Sequence, residues 1–343
     1  MQPLRFVLVG TGSIAGTYAA AVGKLDCARI VGVVSRDVDR AHGFLRENNL
    51  EAKAATGLDA VGADFDAVIL ATPNGLHHQG AVEAAGMGKH VLSEKPIDVT
   101  AERMDRMIRA CHDAGVQLAT AYFRRTRENN RIVKRLLDDG AFGRVYGADL
   151  SLKVHRPQDY YDSGAWRGTW DLDGGGPFMQ QGSHDIDLAC WLLGRPASAV
   201  AMTARLGHTG IEVEDHGAAV LELAGGGILS VVASTVCRPG FQPRLDLFTE
   251  RGSLSMENDQ ITFWGMEGME NPGVAPEGEQ HSAAAGAGVK DTSGHEAILR
   301  DFVEAVREDR PPLVPPESAR LATDVILAIY RAATEGRKVK VPG

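Results

Sequence analysis

Short, mostly apolar runs alternate with longer amphipathic stretches through the first third of the chain, and then the alternation stops. Leu4–Val9 and residues 30–34, 67–71 and 117–121 are rich in Val, Ile, Leu and Ala, and Val91-Leu92 leads into Ser93-Glu94-Lys95-Pro96. Between them, residues 18–25, 78–87 and 101–114 carry apolar positions at helical spacing. Strands without a polar face, separated by helices, predict a parallel sheet covered on both sides. About six strands is the usual size for such a sheet.

Beyond Tyr122 the pattern changes, and a domain boundary is placed there, dividing the chain into residues 1–122 and 123–343. Residues 129–138 predict a helix and residues 147–155 a strand. A loop rich in aromatics and glycine follows, Tyr160-Tyr161-Asp162-Ser163-Gly164-Ala165-Trp166-Arg167-Gly168-Thr169-Trp170. A helix is expected over residues 180–193, which would put Gln180, His184 and Asp187 on one face. Strands are then expected at residues 197–204, 217–223, 227–235, Arg244–Thr249, Gly252–Glu257 and 260–264, with turn signals such as Ala224-Gly225-Gly226. Consecutive strands without crossover helices predict a large open, mainly antiparallel sheet. Residues 265–294, rich in Gly, Ala, Pro and Glu, read as a loop or lid. Two helices, residues 295–307 and Pro316–Glu335, flank a proline-rich turn. The fold expected is α/β followed by α+β: a doubly wound parallel sheet, then a domain built on the antiparallel one.

A length of 343 residues suits two domains. An apolar fraction of 44% with 24% charged residues is ordinary for a globular protein. A formal charge of −9 argues against a nucleic-acid partner. No run approaches bilayer length and no leader-like segment opens the chain, so a cytoplasmic protein without a membrane partner is expected. Cys27, Cys111, Cys190 and Cys237 are far apart in sequence and form no metal-ligand spacing, nor do the histidine groupings His77-His78 and His184-x-x-Asp187. No metal is expected.

The chemistry gathers at strand ends. Gly10-Thr11-Gly12-Ser13-Ile14-Ala15-Gly16 is a Gly-x-Gly-x-x-Ala turn between strand and helix, the setting in which a glycine turn cradles a dinucleotide diphosphate. Gly10 permits the turn, Gly12 lets the diphosphate approach, and the helix N-terminus meets it with amide donors. The next strand ends at Ser35-Arg36, where an acid for the ribose is expected about 20 residues after the glycines. Ser35 and Arg36 suit a 2′-phosphate and predict NADP; if Asp37 takes the ribose instead, NAD is restored. In a doubly wound sheet ligands lie beyond the carboxyl ends of the strands, so Gly10, Ser35, Thr72 and Lys95 converge on one crevice. Lys95, held before a proline, suits an acid, a base or an oxyanion partner, or is a surface lysine. From spacing alone His184 is a core histidine, and the aromatic loop is core unless Trp166 and Arg167 stack on a ligand.

Thr72-Pro73-Asn74-x-x-His77 followed by Glu94-Lys95-Pro96, behind the Gly-x-Gly-x-x-Ala turn, resembles the Gfo/Idh/MocA oxidoreductases. Gly174-Gly175-Gly176-x-x-x-Gln180-x-Gly182-x-His184-x-x-Asp187 is similar to the family's second motif, so the likeness covers nearly the whole chain. The resemblance implies a Rossmann domain, with Lys95 and His184 catalytic. It also implies a cofactor site of Gly10, Gly12, Ser13, Ile14, Ser35, Arg36, Ala71, Thr72, Pro73, Asn74, His77, Glu94, Lys95, Trp166 and Arg167. Arg124, Tyr160, Gln180 and His184 are the expected substrate contacts. Gln180 stands where many members carry aspartate; it can hydrogen-bond a sugar but not take its proton.

The activity implied is hydride transfer between NADP or NAD and a secondary alcohol or ketone of a sugar, sugar derivative or cyclitol, in a homodimer or homotetramer formed through the C-terminal sheet. The rivals are a glycoside-processing enzyme that recycles bound NAD internally, a non-enzymatic sensor of the cofactor ratio, and a reductase of a non-sugar ligand.

Overall fold

The computed structural model describes residues 2–275 and 291–343. These divide into two compact units: one runs to Phe123 and takes up the chain again through Arg320, the other begins at Arg124 and closes with Leu321–Gly343. The return of the chain to the first unit is something that a single division near residue 122 leaves out.

The first unit is organised on β1 (Leu4–Val9), α1 (Ser13–Val22), β2 (Ala28–Val34), α2 (Val38–Glu47), β3 (Lys53–Ala55), α3 (Leu58–Val61), β4 (Ala67–Leu70), α4 (His77–Gly86), β5 (His90–Ser93), α5 (Ala101–Asp113) and β6 (Leu118–Thr120). Its six strands pair in the order β3-β2-β1-β4-β5-β6, all parallel. Phe6, Val7, Leu8 and all of β4 are buried, as continuous apolar strands require when helices cover both faces. This is the doubly wound order, in which the connection reverses between β1 and β4.

Two local differences from the sequence pattern have clear causes. Helix α1 starts at Ser13, five residues before the expected start of helix, because Gly12 already serves as its N-cap with extended backbone. Between β2 and β4 the chain adds α2, β3 and α3, which the pattern left unassigned; β3 has only three residues and lies at the sheet edge.

The second unit holds α6 (Glu128–Asp138), β7 (Val145–Lys153), α7 (Gln158–Asp162), α8 (Ser183–Leu193), β8 (Pro196–Ala204), β9 (His216–Leu223), β10 (Ile228–Ser234), β11 (Arg244–Thr249), β12 (Gly252–Glu257) and β13 (Gln260–Met266). Helix α9 (Ser293–Glu308) belongs to the first unit, where it packs on α1, with the Tyr18 and His295 rings 5.1 Å apart, and Phe302 lies 6.1 Å from Phe6 of β1. Helix α10 (Pro316–Glu335) and β14 (Val339–Lys340) end the chain. Of the loop expected at residues 265–294, residues 276–290 lie outside the described residues, and Gly265 and Met266 extend β13.

The eight strands pair in the order β13-β12-β11-β7-β10-β9-β8-β14. Every neighbouring pair is antiparallel except β7 with β10, so the sheet is mixed rather than purely antiparallel. Strand β9 reads buried and exposed in strict alternation from Gly217 to Leu223. Its inner residues Ala219, Leu221 and Leu223 join Leu150, Leu152, Leu229 and Val231 in the core, and α8 packs on β7. Each of the buried Leu and Val side chains contributes about 1.5–3 kcal/mol.

Candidate active site

In the first unit the strand ends meet as the doubly wound order requires. The Gly10 amide donates to Val34 O at 2.9 Å, Ala71 N to Val9 O at 2.8 Å, Glu94 N to Leu70 O at 2.9 Å and Ser35 N to Ala55 O at 3.1 Å. Gly10, Ser35, Thr72 and Lys95 are thereby brought to one edge of the sheet.

The glycine turn fits a dinucleotide. Gly10 has φ +110°, and a Cβ there would lie 2.4 Å from Ala71 O, so only glycine allows β1 and β4 to come this close at their ends. A Cβ on Gly12 would meet no atom within 4 Å: the space above it is open. No side chain caps α1 and no acid stands in its first turn, which leaves the positive end of the helix dipole for an anion. Of the other residues assigned to the cofactor by resemblance, Ser13 is exposed, Ile14, Thr72, Pro73 and Lys95 are half-buried, and Ala71 and Asn74 are buried. Thr72 Oγ1 is buried without a hydrogen-bond partner among the described residues. At the end of β2, Ser35 is half-buried and Arg36 exposed. The Asp37 carboxylate accepts from Asp39 N at 2.9 Å and so caps α2.

Two residues assigned to the cofactor by resemblance lie inside the fold. His77 is fully buried, its ring nitrogens 2.9 Å from the Pro96 carbonyl and 3.2 Å from the Thr72 carbonyl. It ties the turn after β4 to the turn after β5. Its neighbour His78 is fixed by Asp98, whose carboxylate lies 3.0 Å from Nδ1 and accepts the His78 amide at 2.9 Å. Glu94 is 5% exposed. Tyr18 Oη donates to its Oε1 at 2.8 Å and Lys95 N to its Oε2 at 3.0 Å. Burial alone would raise the Glu94 pKa, but His295, Lys95 and Tyr18 hold it below the ordinary carboxylate value. The same burial, with Glu94 beside it, pushes the Tyr18 phenol well above 10.

In the second unit the helix expected from residue 180 begins at Ser183. Gln180 therefore sits in the preceding turn, its amide bonded to Gly176 O at 2.8 Å, and does not share a helical face with His184 and Asp187. The reason is the close packing of that turn: a Cβ on Gly176 would stand 1.8 Å from Glu214 O. The buried Glu214 carboxylate accepts from Gly176 N at 3.0 Å, from Phe178 N at 3.3 Å and from Tyr330 Oη at 2.9 Å. Burial raises its pKa to about 7.

His184 is half-buried in the first turn of α8. The acids beside it are committed elsewhere. Asp187 pairs with Arg125, Nε to Oδ2 at 2.8 Å and Nη2 to Oδ1 at 2.5 Å, both residues fully buried. Asp185 pairs with Arg124, which also reaches Asp259 Oδ1 at 2.8 Å. Arg124, expected to touch substrate, is thus a buried link between two acids.

Around Tyr160 stand the expected Arg167 and two residues that were not expected, Gln181 and Arg156. Gln181 Nε2 donates to the tyrosine hydroxyl at 3.3 Å, the Arg167 guanidinium lies 4.1 Å from the tyrosine ring and Arg156 5.4 Å. Arg167 also lies 4.6 Å from the Trp166 ring. The pattern missed Arg156, Gln181, Tyr18, His295 and Glu214. The only signal for any of these was that Gln181 lies inside the second motif, between Gln180 and Gly182. Among the described residues no cluster of His, Cys, Asp and Glu could hold a metal ion, and no helix is long and apolar enough to cross a membrane.

A doubly wound unit with an uncapped helix behind an open glycine turn defines a Rossmann dinucleotide-binding protein. Residues 4–122 match the oxidoreductase family with NAD-binding Rossmann fold, and residues 130–255 match the GFO/IDH/MocA C-terminal domain. The chain belongs to the GFO/IDH/MocA oxidoreductase family. It is similar to inositol 2-dehydrogenase 2 of Saccharopolyspora erythraea, 32% identical over 72% of this chain and 71% of that one. It is also similar to the D-xylose 1-dehydrogenase [NADP(+)] of Haloarcula marismortui, 30% identical over 65% of this chain and 64% of that one. The crystal structure of the WlbA dehydrogenase from Bordetella pertussis, in complex with NADH and UDP-GlcNAcA, superposes with a TM-score of 0.89 at 30% identity. It covers 100% of this chain and 99% of its own.

Proposed function

We propose that the protein is an NAD(P)-dependent dehydrogenase or reductase acting on a secondary alcohol or ketone of a sugar, sugar derivative or cyclitol. The observation that carries this reading is the glycine turn: it leaves open space above Gly12 at an uncapped helix, and the Lys95 turn stands at the same sheet edge. Bound at that turn, a nicotinamide cofactor would supply the hydride acceptor for oxidation and the hydride donor for reduction. His184 takes the hydroxyl proton in oxidation and gives it back in reduction. Lys95 stabilises the developing alkoxide, because a ring alcohol is a poor acid and needs both a base and a cation. Tyr160, flanked by Arg156 and Arg167, and Gln180 contact the sugar.

NADP is the preferred cofactor in this reading. The Asp37 carboxylate is engaged as the cap of α2, which leaves Ser35 and Arg36 for a 2′-phosphate. The outer face of the C-terminal sheet, with Val200, Met202, Val220, Ile228, Phe248 and Phe263 exposed in neighbouring register, packs against another copy of the chain in a homodimer or homotetramer.

Tryptophan-fluorescence titration of cofactor-stripped protein with NADPH and NADH tests the cofactor, and myo-inositol, D-xylose and D-glucuronate then test turnover. Arg36→Ala should raise the NADPH Kd about ten-fold, the loss of one charge-assisted contact, and leave NADH unaffected. Tighter NADH than NADPH in the native protein would transfer the ribose to Asp37. Lys95→Ala should abolish turnover with cofactor affinity retained; unimpaired turnover would remove Lys95 from the chemistry.

A further inference from the structure

Glu94 precedes Lys95, and every polar atom it carries is engaged inside the first unit. Its amide donates to Leu70 O at 2.9 Å, and its carbonyl accepts from Ser93 Oγ at 2.9 Å. Its carboxylate accepts from Tyr18 Oη at 2.8 Å on one oxygen and from the Lys95 amide at 3.0 Å on the other. His295 Nε2, from the first turn of α9, lies 3.4 Å from Oε1, at ion-pair range though long for a hydrogen bond. The Tyr18 and His295 rings meet edge to face at 5.1 Å, and Phe123 closes the other side of the imidazole at 5.2 Å. Tyr18 and His295 are 0% and 3% exposed.

Glu94 is 5% exposed, and its carboxylate takes a donor from within the first unit on each oxygen, so it is committed to the interior of that unit. We propose that Glu94 is a positioning residue: it fixes the backbone of Lys95, and Tyr18 and His295 fix Glu94. The proposal rests on the reading of Lys95 as the cation that stabilises the alkoxide. One side chain then joins three elements far apart in sequence: the turn after β5, helix α1 whose N-terminus faces the diphosphate, and helix α9. The lysine is registered to the helix that orients the cofactor. Loss of that register by about an ångström is enough to cost roughly a hundred-fold in rate without removing any reacting group.

Tyr18→Phe is the sharpest test, since it keeps the ring against His295 and removes only the hydroxyl. With NADP⁺ or NAD⁺ and whichever of myo-inositol, D-xylose and D-glucuronate turns over fastest, kcat should fall about ten-fold or more. KM and the NADPH Kd should stay within about two-fold. In a Lys95→Met background the same substitution should cost nothing further, because the group it positions is gone. If the residual rate of Lys95→Met is below detection, deuterium exchange at the Lys95 amide decides. It should quicken about ten-fold in Tyr18→Phe as the turn loosens.

Equal losses in both backgrounds, or no loss and no change in exchange, would overturn the proposal. Full turnover by Lys95→Met would remove the catalytic reading and the positioning role with it. An inactive Lys95→Met beside an unimpaired Tyr18→Phe would remove the positioning role alone. His295→Gln, on the other side of the carboxylate, serves as the second variant if Tyr18→Phe does not fold, with the same outcomes.

Discussion

Gly10 and Gly12 stand two residues apart in one turn, yet the structure separates their purposes, and alanine at each should fail in a different way. At Gly10 the backbone has φ +110°, which costs a residue with a Cβ about 1–2 kcal/mol. The new Cβ would also lie 2.4 Å from Ala71 O and 2.8 Å from its carbonyl carbon. Relief requires β1 to shift against the end of β4, an overpacking cost of about 1–3 kcal/mol. Gly10→Ala should therefore lose about 2–5 kcal/mol in all, a fall in Tm on the order of 4–20 °C.

At Gly12 the backbone has φ −80° and open space where the Cβ would go. Alanine is a poorer N-cap than glycine but narrows the unfolded ensemble; the two effects are each about 0.5–1 kcal/mol and oppose one another. Stability should barely change. The methyl group would stand where a diphosphate approaches the backbone, so the Kd for NADPH and NADH should rise at least about ten-fold. Thermal melts of the cofactor-free proteins and fluorescence titrations measure both quantities. Native-like cofactor affinity in Gly12→Ala would refute the cradle, and a native-like Tm in Gly10→Ala would refute the strain argument.

Arg125→Met should leave the buried Asp187 carboxylate unpaired and cost about 3–5 kcal/mol in urea denaturation. Arg125→Met/Asp187→Leu should recover most of it, because an apolar pair of similar volume avoids desolvation altogether. A single variant within about 1 kcal/mol of native would refute this account of α8. Glu214, with its pKa raised by burial to about 7, keeps a proton in the native state that the unfolded chain releases near 4.5. Its contribution is therefore fully present below pH 4.5 and lost as pH rises through about 7, a change of about 3 kcal/mol. Glu214→Gln should flatten that part of the stability profile, and an unchanged slope would assign it to other groups.

Most of the architecture was legible along the chain because its signals are local. Continuous apolar strands such as Ala67–Leu70 announce a sheet buried on both faces, and the alternation in His216–Leu223 announces one with an exposed side. The glycine turn, Lys95 and His184 stand out as candidates because motif spacing survives in sequence whatever the rest of the fold does. What needed the tertiary structure were the partners. No local pattern says that Tyr18, Glu94 and His295 meet, or that Arg124 and Arg125 are consumed by Asp185 and Asp187. Nor does one say that Gln180 precedes its helix rather than riding on it. Helical and strand periods record which side of an element is buried. Which charge compensates which inside the fold depends on elements brought together from distant parts of the chain, and only the packed structure determines that.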